Sequence, residues 1–211
     1  MAEKPILLTG DMVRAVLGGR KTQHRQPMKP QPPEWMSRQI DSGFRQVRHL
    51  GGNLWGACCG VGDRLWVQET WGIDEVWPET LNEPAECGYP ITGPMRARPS
   101  QPHCLRYAAD GCDGLWRSAA QMPKWAARIW LEVTGIRAER LQDITEADAV
   151  AEGCDGSCSW AGGAAACDAG GNLVLNQFSV LWDSRHAKHG FGWDANPLVW
   201  VRELRSLEGR P

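Results

Sequence analysis

The run Arg128-Ile129-Trp130-Leu131-Glu132-Val133-Thr134 constrains the fold more than any other stretch. Ile129, Leu131 and Val133 fall on one side, which is the period of a strand with one face buried. Ile136 to Leu141 is expected to extend this strand beyond a bend at Gly135. Shorter runs of the same kind are Lys4 to Leu8, bounded by Thr9-Gly10, and Leu105 to Ala109, ending at the turn Asp110-Gly111. Leu65 and Val67 alternate with Trp66 and Gln68 after the turn Gly62-Asp63, and Leu198 to Leu207 is read as a last strand.

Three stretches read as helices instead. Met12, Val13, Val16 and Leu17 predict a short helix from Asp11, with Thr9 or Asp11 as N-cap and a stop at Gly18-Gly19. At Ile144-Thr145-Glu146-Ala147-Asp148 the Thr145 side chain can accept from the Asp148 amide, and the Asp148 carboxylate from the Thr145 amide. This reciprocal cap predicts a helix running to about Glu152, with Gly153 as its stop. Val174, Phe178, Leu181 and Trp182 fall at i, i+4, i+7 and i+8, one face of a third helix. His186 and His189 would share a face of that helix if it ran so far, but Gly190 predicts fraying there.

Between these elements, residues 27–60, 72–104 and 153–172 have no clear period and are read as loop insertions. There are no internal repeats. Strands mixed with a few short helices predict a single α+β domain over residues 1–211, built on a small mixed sheet or barrel.

Net charge is −2, so nucleic-acid binding would have to come from a local patch. No apolar run approaches the roughly 20 residues that span a membrane, and no signal-peptide core follows Met1. A cytoplasmic protein is expected. The 12 Trp, against 2 Tyr and 3 Phe, supply almost all the aromatic area, as core filler or as platforms for bases.

The densest chemistry lies in Gly19-Arg20-Lys21-Thr22-Gln23-His24-Arg25, which follows the first helix. On charge alone this is a solvated basic turn, but its cations could also be aimed at an anionic ligand. Lys21 could bind a phosphate or polarise a carbonyl. Arg25 suits bidentate phosphate contact, and His24 could act as a general base. If the segment is extended, Thr22 and His24 point to one side and Lys21 and Gln23 to the other. Glu152 closes a short helix at its partly negative end, which disfavours a second negative charge and suits a proton carrier near neutral pH. A lysine reaching it would oppose that effect. Glu69, between Trp66 and Trp71, could face a cleft or be bonded to backbone.

The 8 Cys are expected as free thiols or metal ligands rather than disulfides. Cys154, Cys158 and Cys167 could hold zinc with a fourth ligand such as His103, Cys104 or Cys112, but they lack a Cys-x2-Cys pair. Free thiols are favoured, and neither a metal nor a cofactor is expected.

Three separated pieces carry a family resemblance: Gly19 to Arg25, the entry Gly62-Asp63-Arg64-Leu65, and the helix Ile144 to Glu152. In this order they resemble the ASCH domain of the PUA-like superfamily. Trp66-Val67-Gln68-Glu69-Thr70-Trp71 and Gly192-Trp193-Asp194-Ala195-Asn196-Pro197 look like segments of its larger bacteriophage and prophage members. The resemblance implies a small mixed β-barrel flanked by helices, with an RNA- or nucleotide-binding cleft between barrel and helices. Some members hydrolyse the acetyl amide of N4-acetylcytidine, and one branch cleaves RNA. In the amidohydrolase branch a lysine, a threonine three residues later and a glutamate at the end of the Thr-Glu helix carry the chemistry. These positions fall on Lys21, His24 and Glu152, so the pattern departs at His24.

The expected function is therefore RNA or nucleotide binding, with Lys21, Glu152 and His24 as catalytic candidates and Arg25, Thr22, Glu69 and Trp71 as substrate contacts. A hydrolase using the same cleft is the first alternative. A phage protein that binds a host protein through Trp-rich insertions is the second.

Overall fold

The computed structural model describes residues 1–35, 59–75, 103–111, 114–157 and 171–207. It is α+β, with seven strands and three α-helices among these residues. The strands are β1 (Glu3–Leu7), β2 (Gln23–Pro27), β3 (Arg64–Gln68), β4 (Trp71–Glu75), β5 (His103–Tyr107), β6 (Trp130–Arg140) and β7 (Leu198–Leu207). The helices are α1 (Gly10–Leu17), α2 (Glu146–Ala151) and α3 (Leu173–His186). Five strands form a mixed sheet in the order β1-β3-β6-β7-β2, and β4 and β5 form a separate antiparallel pair. The β1–β3 pair is parallel and the β2–β7 pair antiparallel.

The chain divides into two compact units. The first holds residues 1–2, 15–63 and 132–205, and the second residues 3–14, 64–131 and 206–211.

In the first unit the core is the apolar seam of α3 laid on β7. Phe178, Leu181 and Trp182 pack with Val199 and Val201, joined by Leu141, Ile144, Ala149 and Cys154 from the segment around α2. The helical spacing read from the sequence is thus the buried face. Asn172 caps α3 by accepting from the amides of Val174 and Leu175 at 3.0 and 3.2 Å. The predicted reciprocal cap of α2 is present, with Thr145 Oγ1 accepting from the Asp148 amide at 3.1 Å. Glu152 ends this helix and Gly153 follows at φ 105°.

The expected extension past Gly135 is present: β6 runs unbroken from Trp130 to Arg140. The glycine allows a close approach, since a Cβ there would lie 2.5 Å from Glu203 Oε2 of β7.

In the second unit Trp71, Ile73, Tyr107, Met122, Ala126 and Ala127 form the core. The expected insertion at 72–104 begins and ends inside a strand pair, with Trp71 opposite Tyr107 and Glu75 opposite His103. The insertion at 27–60 likewise begins late, because Pro27 belongs to β2. Residues 36–58, 76–102 and 158–170 lie outside the described residues.

Candidate functional site

The segment after α1 is steered by backbone bonds before its side chains matter. The amides of Arg20 and Lys21 both donate to Ala15 O, at 2.9 and 3.0 Å, which wraps the chain back over the helix end. The Thr22 amide then donates to Ala151 O at 2.8 Å, and Thr22 O accepts from the Leu204 amide at 2.7 Å. These bonds pin residue 22 between the end of α2 and β7, and strand β2 starts at Gln23.

This pinning brings Lys21 to Glu152. Lys21 Nζ donates to Glu152 Oε2 at 2.8 Å, to Glu152 O at 2.9 Å and to Gln23 O at 2.7 Å. All three ammonium hydrogens are used. The two side chains are 0 % and 3 % exposed. Burial pushes the Lys21 ammonium below its ordinary pKa, and the Glu152 carboxylate opposes that shift.

Arg25 occupies the other oxygen. Its Nη1 donates to Glu152 Oε1 at 3.2 Å and to Gln23 Oε1 at 3.1 Å. Its Nε and Nη2 donate to Glu139 Oε1 at 3.1 and 2.7 Å, and Asp148 Oδ2 lies 3.5 Å from Nη2. Arg137 extends the network, donating to Glu139 Oε2 at 3.1 Å, Asp148 Oδ1 at 3.1 Å and Glu203 Oε1 at 3.2 Å. Arg25 therefore spends its fork on protein carboxylates, where the sequence suggested phosphate. Asp148 is held below its ordinary pKa: burial acts against this and is outweighed by hydrogen bonds from Thr145 and Gln23 and the Arg25 charge.

Sequence reasoning missed Glu139, Arg137 and the second role of Asp148. A signal existed for the first two: residues two apart on a strand share a face, and Arg137-x-Glu139 places opposite charges side by side on β6.

Gly153 packs against the Lys21 stem. A Cβ at this position would lie 2.9 Å from Ala15 Cβ and 3.6 Å from Lys21 Cβ. Past it, Gln177 Oε1 accepts from the amides of Asp155 and Gly156 at 3.1 and 2.8 Å, tying the turn to α3. Cys154 is buried and burial, then the Glu152 charge, pushes its thiol up to about 12, so it stays a neutral thiol. Cys158 and Cys167 lie outside the described residues.

His24 and Thr22 do not join the Lys21–Glu152 contact. Thr22 keeps its side chain exposed. His24 is 9 % exposed, and its Nδ1 finds no hydrogen-bond partner. Burial, followed by the charges of Lys21, Arg202, Arg185 and His186, holds its pKa well below the ordinary imidazole value.

Glu69 and Trp71 belong to the second unit. Glu69 accepts a two-pronged contact from Arg128, Nε to Oε1 at 2.9 Å and Nη2 to Oε2 at 3.0 Å. The remaining prongs of Arg128 reach Asp110 at 2.8 and 2.9 Å, and its guanidinium lies 3.9 Å from the centre of the Tyr107 ring. Burial raises the Glu69 pKa against the pull of Arg128. Trp71 is 1 % exposed, edge-on to Trp125 with ring centres 6.0 Å apart, so its ring is core packing.

Comparison of the chain with known protein families, with curated proteins and with solved structures finds no match. Among the described residues no helix is long and apolar enough to cross a membrane, and no group of three or more His, Cys, Asp or Glu could hold a metal ion.

Proposed function

We propose that this chain is an RNA- or nucleotide-binding protein of the ASCH type, with a PUA-like barrel and a ligand cleft in its first unit. The observation that carries the reading is the Lys21–Glu152 contact. The two positions that the family resemblance pairs for chemistry stand 131 residues apart in sequence and 2.8 Å apart in space. Nothing in the local sequence of either segment demands that meeting. The absence of a membrane-spanning helix among the described residues agrees with a cytoplasmic setting. Titration with short single-stranded RNA and with cytidine tests the proposal. Saturable binding of at least one is expected, and no binding of either contradicts it.

The same contact favours a second reading, hydrolysis of an acylated nucleoside or of RNA. A lysine of lowered pKa and a carboxylate on one shared hydrogen bond form a couple able to pass a proton. In this reading Glu152 takes the proton of the attacking water and Lys21 supports the leaving group. Arg25 acts as a positioning residue, fixing the second oxygen of Glu152. With Lys21 0 % exposed, substrate reaches the couple in this reading only after a local opening. Glu152→Gln keeps the shape but cannot take a proton. It should lower turnover by roughly 10²–10⁴ while leaving ligand affinity within a few-fold. Full activity in this variant would remove Glu152 from the mechanism.

A further inference from the structure

Lys21, Gln23 and Arg25 stand at i, i+2 and i+4 of the segment that becomes β2, and extended backbone sends such positions to one face. Two cations on one face repel unless something lies between them. Here two groups do. Glu152 joins them from the end of α2, its Oε2 accepting from Lys21 Nζ at 2.8 Å and its Oε1 from Arg25 Nη1 at 3.2 Å. Gln23 joins them from the strand, its main-chain oxygen accepting from Lys21 Nζ at 2.7 Å and its Oε1 from Arg25 Nη1 at 3.1 Å. The four residues close a ring of hydrogen bonds. The Asp148 carboxylate accepts a further bond from the Gln23 side chain, so the amide has its oxygen on Arg25 and its nitrogen on Asp148. Lys21, Arg25 and Glu152 are buried, and Gln23 is the half-buried member of the ring.

We infer that Gln23 is the positioning residue of the Lys21–Glu152 couple: by taking part of Arg25 Nη1, it sets how far the Glu152 carboxylate is drawn away from Lys21. The inference rests on the hydrolytic reading for what the couple does, and on this ring alone for how it is held. Arg25 Nη1 carries two hydrogens and has two acceptors here, Gln23 Oε1 and Glu152 Oε1. Its Nε and Nη2 are engaged by Glu139. Glu152 thus lies between two cations that compete for it, and a neutral amide eases one side of that competition without adding charge. A carboxylate at position 23 would claim Arg25 for itself, since charge-assisted bonds are the stronger, and would repel Asp148. An apolar side chain would leave Nη1 to Glu152. The groups that face Lys21 are Glu152 and Cys154 from the segment after α2 and Arg185 from α3. Of these, Glu152 also bonds Arg25, so it carries a change at position 23 to the lysine.

The test is an alkaline titration of the full chain, 15N-labelled at lysine, with the Lys21 Nζ shift read at each pH. Two variants of like length are compared with the parent. Gln23→Met keeps the main-chain acceptor and releases Nη1 to Glu152. The carboxylate should move toward Arg25, and the Lys21 midpoint should fall, because the Glu152 charge is what raises it. Gln23→Glu should draw Arg25 off Glu152 and turn that carboxylate to Lys21, so the midpoint should rise. Each shift should be about one pH unit, the lower end of what a hydrogen bond to a charged group supplies. Gln23→Asn, one methylene short of Arg25, should act as the Met variant does and guards against a folding defect there. Urea midpoints are measured alongside. A side chain that only fills space would change stability and leave the Lys21 midpoint of the Met and Asn variants at the parent's value, and that result overturns the inference. Shifts of one sign in all variants overturn it too. Opposite shifts uphold it, and if they occur in a chain that hydrolyses neither an acylated nucleoside nor RNA, the positioning role stands and the hydrolytic reading falls.

Discussion

Lys21 and Glu152 share a buried 2.8 Å hydrogen bond although 131 residues separate them. Each is placed by its own segment, and the fold brings the two segments together. The turn after α1 delivers Lys21 through Ala15 O, and the reciprocally capped α2 delivers Glu152 at its last turn. Burying both groups is tolerable only because each completes the other. The pair is thus a folding constraint as well as a chemical one.

Lys21→Met should expose that constraint. Removing one partner of a buried pair costs about 3–5 kcal/mol, and here Glu152 would lose Lys21 and keep the 3.2 Å contact to Arg25. The double variant Lys21→Met/Glu152→Leu removes both charges, and Arg25 still holds Glu139 and Asp148. Its loss should fall well short of the sum of the two single losses. Urea denaturation midpoints measure this, and additive losses would show that the two residues do not work as a pair.

Gly153→Ala should destabilise by about 1–3 kcal/mol. The residue stands at φ 105°, and the new Cβ would meet Ala15 Cβ at 2.9 Å. Ala15 belongs to α1, whose C-terminal turn seats Lys21, so the strain enters at the pair itself. A variant as stable as the parent would mean that this turn is not tightly packed on Ala15 and the Lys21 stem. Gly171, also at positive φ but with open space around it, is the control for the backbone effect alone.

The fold was legible wherever apolar period carried it. β6, β7 and α3 were readable because one face of each is buried by side chains that water rejects, and α2 because of the cap at Thr145 and Asp148. β2 was not, because its buried residues are His24, Arg25 and Pro27, and charge does not signal burial. The β4–β5 pair was hidden by the long stretch between its strands, although Leu105 to Tyr107 was readable by itself. Within the site, the sequence located Lys21, Glu152 and the cap at Thr145. It misjudged the company of Arg25, since the acceptors Glu139 and Asp148 come from other elements. It also grouped Glu69 and Trp71 with Lys21, whereas they belong to the second unit, one bound to Arg128 and the other in the core.

Acid should weaken the protein through its buried histidines. His24 is held well below the usual 6.5 and His186 is lowered to about 4, in both cases chiefly by burial. In the unfolded chain both would protonate near the ordinary value, so below it the unfolded state holds more protons. Stability therefore rises with pH through this window and falls as pH drops from 6.5 toward about 4. The limiting slope is about 1.4 kcal/mol per pH unit for one fully buried histidine. His186, only half buried, should contribute less. His24→Asn should remove most of the slope between pH 6.5 and 4.5 in urea melts, roughly the window set by those two groups. A variant with the parent's slope would contradict the burial of a neutral His24.

The most direct test of the account is a map of where a nucleotide binds. Backbone amide spectra of the full chain, titrated with cytidine 5′-monophosphate, report every residue at once. The account predicts saturable shifts concentrated in β2, in the Ala151–Cys154 turn and in residues 198–205 of β7, all in the first unit. No shifts, or shifts confined to residues 64–131 around Glu69 and Trp71, would contradict it.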